Sequence, residues 1–224
     1  MKHCRGVVFD LNGTLLWDTG LHNQAWDIFL GRHEIILTDK EKNELIHGKN
    51  NSTILCTLFD RQLPENDLNR YILEKEILYQ KLCLQNGIDY APGAAAFIDF
   101  LKRRHIPYAI ATASNLVNID FYFEKLGLGL LIDRQYVIYN NNRIRGKPDP
   151  EIFEIAIRLL GLKSEDVVIF EDSVAGITAA ERAKPAGVII VNSTGNDYSG
   201  FGLEVITDFG QVDREMFTTN PALC

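Results

Sequence analysis

Four short runs of apolar residues recur along the chain, and each ends in polar or small residues. They are GVVFDLNGT (6–14), IPYAIATASN (106–115), EDVVIFEDS (165–173) and AGVIIVNST (186–194). The runs are nearly continuous rather than alternating, which is typical of strands covered on both faces in a parallel sheet. Helical patterns such as APGAAAFIDFLKRR (91–104) separate them. This alternation predicts an α/β fold with a doubly wound parallel sheet.

The segment between the first two runs has a different character. Its stretches LHNQAWDIFLGRH and ENDLNRYILEKEILYQKLCLQNG have helical patterns, and no strand pattern interrupts them. We therefore predict a parallel-sheet core over 1–16 and 91–224, with an inserted all-helical cap domain over 17–90. Two linkers, near 15–19 and 89–93, would let the cap open and close over the sheet.

Composition excludes several classes of protein. The 224 residues are 46% hydrophobic and 24% charged, as in ordinary globular domains, and the net charge is −7. A nucleic-acid or anionic-membrane binder would be basic instead. No apolar run approaches the roughly 18 residues of a spanning helix. With no metal-ligand spacing among them, the four cysteines predict reduced thiols and a cytoplasmic protein, for which a monomer is the default; they are Cys4, Cys56, Cys83 and Cys224.

Polar side chains suited to catalysis stand at strand ends or just before a helix. They are Asp10, Thr112, Lys147 and the pair Glu171/Asp172. A parallel sheet would bring them together at one edge, because ligands bind at the carboxyl ends of its strands.

The chemistry of this set matches phosphoryl transfer through an aspartyl-phosphate. Asp10 can act as the nucleophile. Asp172, with Asp10 and Glu171, offers the hard oxygen ligands that Mg²⁺ prefers. Lys147 can neutralise phosphoryl oxygens and hold Asp10 ionised, and Thr112 can donate a hydrogen bond to a third oxygen.

Each feature also has an ordinary structural explanation. The turn that begins at Asp10 is a good Asx turn, and Thr112 can be a structural hydroxyl. Lys147, which precedes a proline, can be a solvated loop lysine, and Glu171/Asp172 can cap the following helix. Their placement at successive strand ends favours a shared function over four separate structural roles.

The chain resembles the haloacid dehalogenase superfamily of phosphatases, in its β-phosphoglucomutase-like branch with a helical cap. The matching segments, in the family's order, are VVFDLNGTLL, AIATASN, RGKPDPEIFEIA and VVIFEDSVAGITAA. The resemblance implies a Rossmann-like core, Mg²⁺ dependence and phosphoryl transfer to Asp10. It implies that Asp10, the backbone carbonyl of Asn12 and Asp172 hold the metal, with Glu171 beside them. The implied phosphate-binding residues are Gly13, Thr14, Ala113 and Ser114.

Resemblance extends to the cap, which is expected to select a small phosphate ester as substrate. His22 would face the active site and orient a leaving group, although a buried, satisfied histidine is an equal alternative. The loop IHGKNNSTIL would bring Gly48, Lys49 and Asn51 to the substrate, and Lys75 matches a basic cap position, although an exposed helix lysine is the more common case. In the mutase an arginine stands where Asn51 does, so its absence favours a monophosphate phosphatase over a phosphomutase.

Asn12 departs from the family, which normally has an aspartate two residues after the nucleophile. That aspartate protonates the leaving group and later deprotonates the attacking water, whereas an amide exchanges no proton at neutral pH. Turnover is therefore expected to be impaired while the metal and phosphate sites survive. Three explanations stay open: an engineered form of a working phosphatase, a native residue in a slow or specialised enzyme, and a non-catalytic binder of a phosphorylated metabolite.

Overall fold

Residues 4–141 and 143–217 are described by the computed structural model, and within them six strands form one parallel sheet. The strands are β1 (Gly6–Phe9), β2 (Tyr108–Asn115), β3 (Val137–Asn140), β4 (Val167–Glu171), β5 (Gly187–Val191) and β6 (Glu204–Ile206). Four of them lie in the four apolar runs of the sequence. The predicted α/β fold with a Rossmann-like parallel sheet is thereby confirmed.

The strand order is β3-β2-β1-β4-β5-β6, so β1 occupies the middle of the sheet. From β1 the chain first builds outward on one side through β2 and β3, and then returns to build the other side. The order therefore reverses between β1 and β4, and a crevice opens at their carboxyl ends, where doubly wound proteins bind ligands. Asp10 follows β1, and Glu171 ends β4, so both lie at this crevice.

Eight α-helices are present in the described part of the chain. They are α1 (Thr19–Arg32), α2 (Asp39–Leu45), α3 (Asn51–Leu58), α4 (Glu65–Asn86), α5 (Ala94–Arg103), α6 (Leu116–Lys125), α7 (Glu151–Leu159) and α8 (Val174–Arg182). The first four follow one another between β1 and α5, where the sequence predicts the cap. None of the described helices has both the length and the apolar character needed to cross a bilayer.

Separate groups of buried side chains stabilise the two faces of the sheet and the inserted helices. On one face, the rings of Phe9, Phe97 and Phe170 pack together, with Phe9 and Phe170 stacked at 5.2 Å between centroids. On the other face, Val8 and Phe153 belong to a second cluster. The helices α1, α3 and their connections have a cluster of their own, formed by Trp26, Phe29, Leu30, Ile46, Ile54, Leu55 and Leu63. The cap boundaries at 17 and 90 stay a prediction, which this separate core supports.

The two predicted linkers run side by side. Ala91 donates its backbone N–H to the carbonyl of Leu15 across 2.8 Å, and Trp17 donates to the carbonyl of Asp89 across 2.9 Å. Any movement of the helices relative to the sheet must therefore bend both linkers together.

The cysteines agree in part with the expectation of reduced thiols. Cys4, Cys56 and Cys83 form no disulfide. Cys224 lies outside the described residues.

Candidate active site

Lys147 bridges two carboxylates at the carboxyl end of the central strands. Its Nζ donates to Asp10 Oδ1 and to Glu171 Oε1, at 2.5 Å in each case. The backbone N–H of Asp10 donates to the carbonyl of Phe170 across 2.9 Å, which holds Asp10 beside the end of β4. All three charged side chains are buried. Lys147 is therefore the counter-ion of Asp10, and not a solvated loop lysine.

Burial and charge act in opposite directions on the pKa values of this group. Burial raises the pKa of Asp10 to about 7; the Lys147 ammonium opposes this increase, and the Glu171 carboxylate adds to it. Burial alone would lower the pKa of Lys147, but the carboxylates of Asp10 and Glu171 outweigh it and raise that pKa. Lys147 therefore stays charged at neutral pH, whereas Asp10 can still take up a proton.

Three acidic side chains converge at the same point. One oxygen from each of Asp10, Glu171 and Asp172 lies within 4.8 Å of the other two. Burial, followed by the charges of Glu171 and Asp10, raises the pKa of Asp172 well above its usual range. A hard divalent cation would relieve this repulsion, and carboxylate oxygens are the donors that Mg²⁺ prefers. The residues present therefore fit a magnesium ion.

Glu171 is the most constrained of the three. Its Oε1 accepts from Lys147, and its Oε2 accepts from the backbone N–H groups of Asp172 (2.8 Å) and Ser173 (2.7 Å). Glu171 therefore orients Lys147 and the backbone at the start of α8, and it is also a member of the acidic cluster.

Gly13 brings the backbone close to the acidic cluster. Its φ is +82°, and an added Cβ would lie 2.1 Å from Asp172 Oδ2, so no larger residue fits here without displacement. The hydroxyl of the next residue, Thr14, donates to Asp172 Oδ1 across 3.3 Å. These contacts place the turn against the predicted metal ligands.

Asn12 is held by four side chains. Its Nδ2 donates to Asp18 Oδ2 (2.6 Å) and to the hydroxyl of Tyr122 (2.8 Å). Its Oδ1 accepts from Ser114 Oγ (2.7 Å) and, more weakly, from Thr112 Oγ1 (3.4 Å). The amide thus uses both its donor and acceptor capacity, and the surroundings complement an asparagine.

Asp18, which the sequence did not single out, is a fully buried carboxylate. Besides Asn12, it accepts from Tyr79 Oη (2.5 Å) and from the backbone N–H of Gly13 (3.0 Å). Burial raises the pKa of Asp18 to about 6, and these hydrogen bonds oppose the increase. Asp18 links the turn that follows Asp10 to α4 of the inserted helices.

The end of β2 supplies further wall residues. Thr112 is buried, and its Oγ1 accepts from the backbone N–H of Ser114 across 3.1 Å. Thr112, Ala113 and Ser114 all line the same cavity as Asp10. The hydroxyls of Thr112 and Ser114 thus point toward Asn12 at the edge of that cavity.

An internal cavity of about 100 Å³ lies between the sheet and the inserted helices. Eleven of the predicted site residues line it; they are Asp10, Asn12, His22, Gly48, Lys49, Asn51, Lys75, Thr112, Ala113, Ser114 and Asp172. The other four, Gly13, Thr14, Lys147 and Glu171, stand behind this wall and contact Asp10, Asp172 or Asp18. The volume of the cavity is below the roughly 300–1,000 Å³ of pockets for drug-sized ligands, so the cavity suits a ligand smaller than these.

Lys75 corrects one sequence-based expectation. It is buried with 2% of its surface exposed, not an exposed helix lysine. Its Nζ contacts His22 Nδ1 (2.9 Å) and lies 5.2 Å from the centre of the Trp26 ring. The interpretation of Lys75 as an exposed helix lysine is wrong, because α4 places this side chain against α1. The local pattern of charged residues does not indicate this orientation.

His22 lies on the cavity wall and is also a buried histidine with hydrogen-bonding partners, while its expected role in orienting a leaving group stays a prediction. It lines the cavity, and its ring is also satisfied by Lys75 and by Asp18, whose Oδ2 lies 3.5 Å from His22 Nε2. The ring stacks on Tyr79 at 3.7 Å between centroids. Burial, and then the charge of Lys75, lowers the pKa of His22 well below its usual value, so this histidine is neutral at neutral pH.

The loop before α3 reaches the cavity, as predicted. Lys49 lines it, but its Nζ donates to the carbonyl of Glu44 across 2.6 Å. Asn51 donates its Nδ2 to Glu76 Oε1 across 2.5 Å. Gly48 lies so close to the sheet domain that an added Cβ would be 2.1 Å from Ser173 Oγ. The inserted helices are therefore closed against the sheet.

Residues 4–184 match the family of haloacid dehalogenase-like hydrolases. The chain belongs to this family, as the resemblance of its motifs implies.

Individual relatives agree with this assignment. Hexitol phosphatase A of Escherichia coli (strain K12) is 31% identical over 191 residues, which cover 85% of this chain and 84% of the relative. Beta-phosphoglucomutase of Bacillus subtilis (strain 168) is 26% identical and covers 80% of each chain. Among solved structures, a HAD hydrolase, family IA, variant 3 from Entamoeba histolytica HM-1:IMSS superposes with a TM-score of 0.83 at 28% identity, covering 96% of this chain and 97% of the other.

Proposed function

We propose that the chain is a Mg²⁺-dependent phosphatase that acts on a small sugar or sugar-alcohol monophosphate through an aspartyl-phosphate on Asp10. The observation that carries this proposal is the position of Lys147, 2.5 Å from both Asp10 and Glu171, beside the acidic cluster. The 31% identity with hexitol phosphatase A of Escherichia coli supports the class of substrate.

In the first step, a carboxylate oxygen of Asp10 attacks phosphorus in line with the ester bond. A bond forms between Asp10 and phosphorus, the bond from phosphorus to the ester oxygen breaks, and an alcohol leaves. Lys147 favours the ionised, nucleophilic form of Asp10 and places positive charge beside the phosphoryl group. Water then hydrolyses the aspartyl-phosphate, which releases phosphate and regenerates Asp10.

The magnesium ligands in this proposal are Asp10, the backbone carbonyl of Asn12 and Asp172. Glu171 lies in the same cluster and orients Lys147. A bound ion here supplies positive charge that stabilises the phosphoryl oxygens as the transferring group moves.

Asn12 removes the side chain that the family uses to move protons. The leaving alcohol and the attacking water must then exchange their protons with solvent, and general acid–base catalysis is typically worth about 10²–10⁴-fold. Positioning and electrostatic stabilisation, which dominate phosphoryl transfer, remain in place. We therefore propose a slow phosphatase, with a phosphomutase and a non-catalytic metabolite binder as the alternatives.

The test is phosphate release with and without Mg²⁺ from p-nitrophenyl phosphate and a panel of sugar and hexitol monophosphates. Unmodified protein, Asn12→Asp and the double variant Asn12→Asp/Asp10→Asn are compared. We expect Mg²⁺-dependent release by the first two and none by the third. Inert protein in all three forms, together with tight binding of a phosphate ester, would establish the binder instead. Phosphate that moves between carbons of the sugar without release would establish the mutase.

A further inference from the structure

Glu76 is a buried carboxylate on the cavity wall that the proposed reaction does not use. It lies on α4, and only 2% of its surface is exposed. Its Oε1 accepts from Asn51 Nδ2 (2.5 Å) and its Oε2 accepts from Asn118 Nδ2 (2.7 Å). An acidic side chain this deeply buried is rare unless it is paired or functional.

Three separate elements supply this group, which we call the Glu76 wall: Asn51 of α3, Glu76 of α4 and Asn118 of α6. The Asn118 side chain is fixed because its Oδ1 accepts from Gln80 Nε2 across 3.0 Å. Both amide groups therefore present their N–H donors to the carboxylate, and all three residues also line the cavity. Each amide nitrogen carries a second hydrogen that it can donate to a ligand. Of the about four lone-pair positions of the carboxylate, two accept the short amide bonds and the others face only the long Lys75 contacts of 3.3 and 3.4 Å, so the carboxylate can also accept from a ligand hydroxyl.

The positive charge next to this wall is already balanced. Lys75 Nζ lies 3.3 Å from Glu76 Oε2 and 3.4 Å from Glu76 Oε1, and it also contacts His22. Burial lowers the pKa values of His22 and His47, which leaves both rings neutral. The ammonium of Lys49 is held by a backbone carbonyl. Lys75, the cation in contact with Glu76, is therefore already paired and is not free to hold a second phosphate.

The Glu76 wall and the phosphate site stand apart in the cavity. From Asn12, one series of close contacts leads through Asp18 and His22 to Lys75 and then to Glu76. Lys147 and the acidic cluster lie at the opposite end of this series. One end of the cavity thus suits a phosphoryl group with a cation, and the other suits uncharged hydroxyl groups.

We propose that Glu76, held by Asn51 and Asn118, determines specificity by accepting hydrogen bonds from hydroxyl groups of a polyol monophosphate and by pairing with the Lys75 ammonium that a second phosphate would need. This inference rests on the proposed function and deepens it, because it assigns the substrate class. A neutral polyol chain gains hydrogen bonds to a charged acceptor, which are among the stronger ones in proteins. An anion in the same position would meet no unpaired ammonium, because Lys75 already pairs with Glu76.

Equilibrium binding tests this independently of turnover. With Mg²⁺ present, titration calorimetry would compare inorganic phosphate, a hexitol monophosphate, an alkyl monophosphate of the same length without hydroxyls, and a hexitol bisphosphate. On the unmodified protein we expect the hexitol monophosphate to bind about tenfold or more tightly than either the alkyl ester or the bisphosphate. Equal affinity for the hexitol and alkyl esters, or tighter binding of the bisphosphate, would overturn the proposal without any variant.

Glu76→Gln and a matched control sharpen the test. The control is Glu74→Gln on the same helix, where Glu74 pairs with Arg32 and His33 away from the cavity. Glu76→Gln should lower the affinity for the hexitol monophosphate about tenfold and reduce the difference in affinity between the hexitol monophosphate and the bisphosphate. Its affinity for inorganic phosphate should stay within about twofold of that of the unmodified protein. Glu74→Gln should change none of these affinities. An unchanged hexitol affinity in Glu76→Gln overturns the proposal. Failure of the proposed phosphatase would be seen separately, as absence of phosphate release from every ester while these binding preferences persist.

Discussion

The side-chain amide of Asn12 donates a hydrogen bond to the buried carboxylate of Asp18 across 2.6 Å. Asp18 also accepts from Tyr79 and from the backbone of Gly13, so three donors converge on one carboxylate. The amide therefore does more than occupy the position of a missing acid. It satisfies a buried charge that ties the catalytic turn to the inserted helices.

Replacing Asn12 by aspartate should change both rate and pH dependence. Two carboxylates at this separation share a proton, because like charges so close cannot both ionise. That shared proton keeps residue 12 in the form that a general acid needs, and we expect phosphate release to rise about 10²-fold or more. Activity of the variant should fall as the pH rises and the shared proton is lost. The measurement is a pH–rate profile against unmodified protein; a variant no faster than the parent at any pH would contradict it.

Removing the charge of Lys147 should damage stability as well as catalysis. Lys147→Met leaves Asp10 and Glu171 buried without a counter-ion, and loss of one partner of a buried pair costs about 3–5 kcal/mol. Phosphate release should fall about 10²-fold or more, as when a transition-state donor is removed. Lys163→Met is the control, because that side chain is 80% exposed.

Denaturant unfolding of the Lys147 variant would show how the carboxylates respond. Its stability deficit should shrink from about pH 7.5 to about pH 5, since protonation neutralises the uncompensated Asp10, whose pKa burial already raises to about 7 beside Lys147. A deficit that is equal at both pH values would argue that lost packing, and not charge, explains the effect.

Binding of Mg²⁺ should strengthen as the pH rises. The pKa of Asp10 is raised to about 7 by burial, so below that pH the ion must displace a proton from this ligand. The affinity should increase at least about tenfold per pH unit below about pH 7, because Asp10 releases one proton and Asp172, whose pKa is also raised, can release a second. Calorimetry in buffers of different ionisation enthalpy counts the protons released; a count of zero at about pH 6 would disprove the link to Asp10.

Gly48 should control closure of the cap. An alanine Cβ at this position would lie 2.1 Å from Ser173 Oγ, and Ser173 is fixed because it caps α8 and donates to Glu171. Gly48→Ala should therefore raise KM by about tenfold, as the closed arrangement is destabilised by about 1–2 kcal/mol. Gly87→Ala is the matched control, with a positive φ of 77° and no neighbour within 4 Å of the added atom. An equal change in KM for both variants would mean that backbone strain alone is responsible.

The sequence was informative wherever a residue's role depends on its place along a strand. Asp10, Thr112 and Glu171 meet at the carboxyl end of the sheet, because its strands run parallel to one another. The nearly continuous apolar runs of the sequence indicate this parallel arrangement. Strands β3 and β6 were missed, since they have four and three residues and lie at the sheet edges, where the apolar pattern is weak.

The network around Asn12 was beyond local sequence patterns. Tyr79 and Tyr122 lie 61 residues from Asp18 and 110 residues from Asn12 in sequence, respectively, and only the packing of α4 and α6 brings them together. The burial of Lys75 and Glu76 could not be predicted for a related reason, because adjacent charged residues on a helix normally face solvent. Here His22 on α1 contacts Lys75, and Asn51 and Asn118 donate hydrogen bonds to Glu76.

Gly13 has a consequence for the chemical lifetime of the protein. An asparagine followed by glycine loses its amide when the glycine nitrogen attacks the side chain to form a cyclic imide. In the fold, that nitrogen donates to the carbonyl of Leu16 (2.7 Å) and to Asp18 Oδ1 (3.0 Å), while the Asn12 amide is bound elsewhere. Cyclisation must break these bonds, so ageing converts residue 12 mainly in molecules that have locally unfolded. The rate at which the protein gains one mass unit during storage would therefore report how often the turn that contains Asn12 and Gly13 opens.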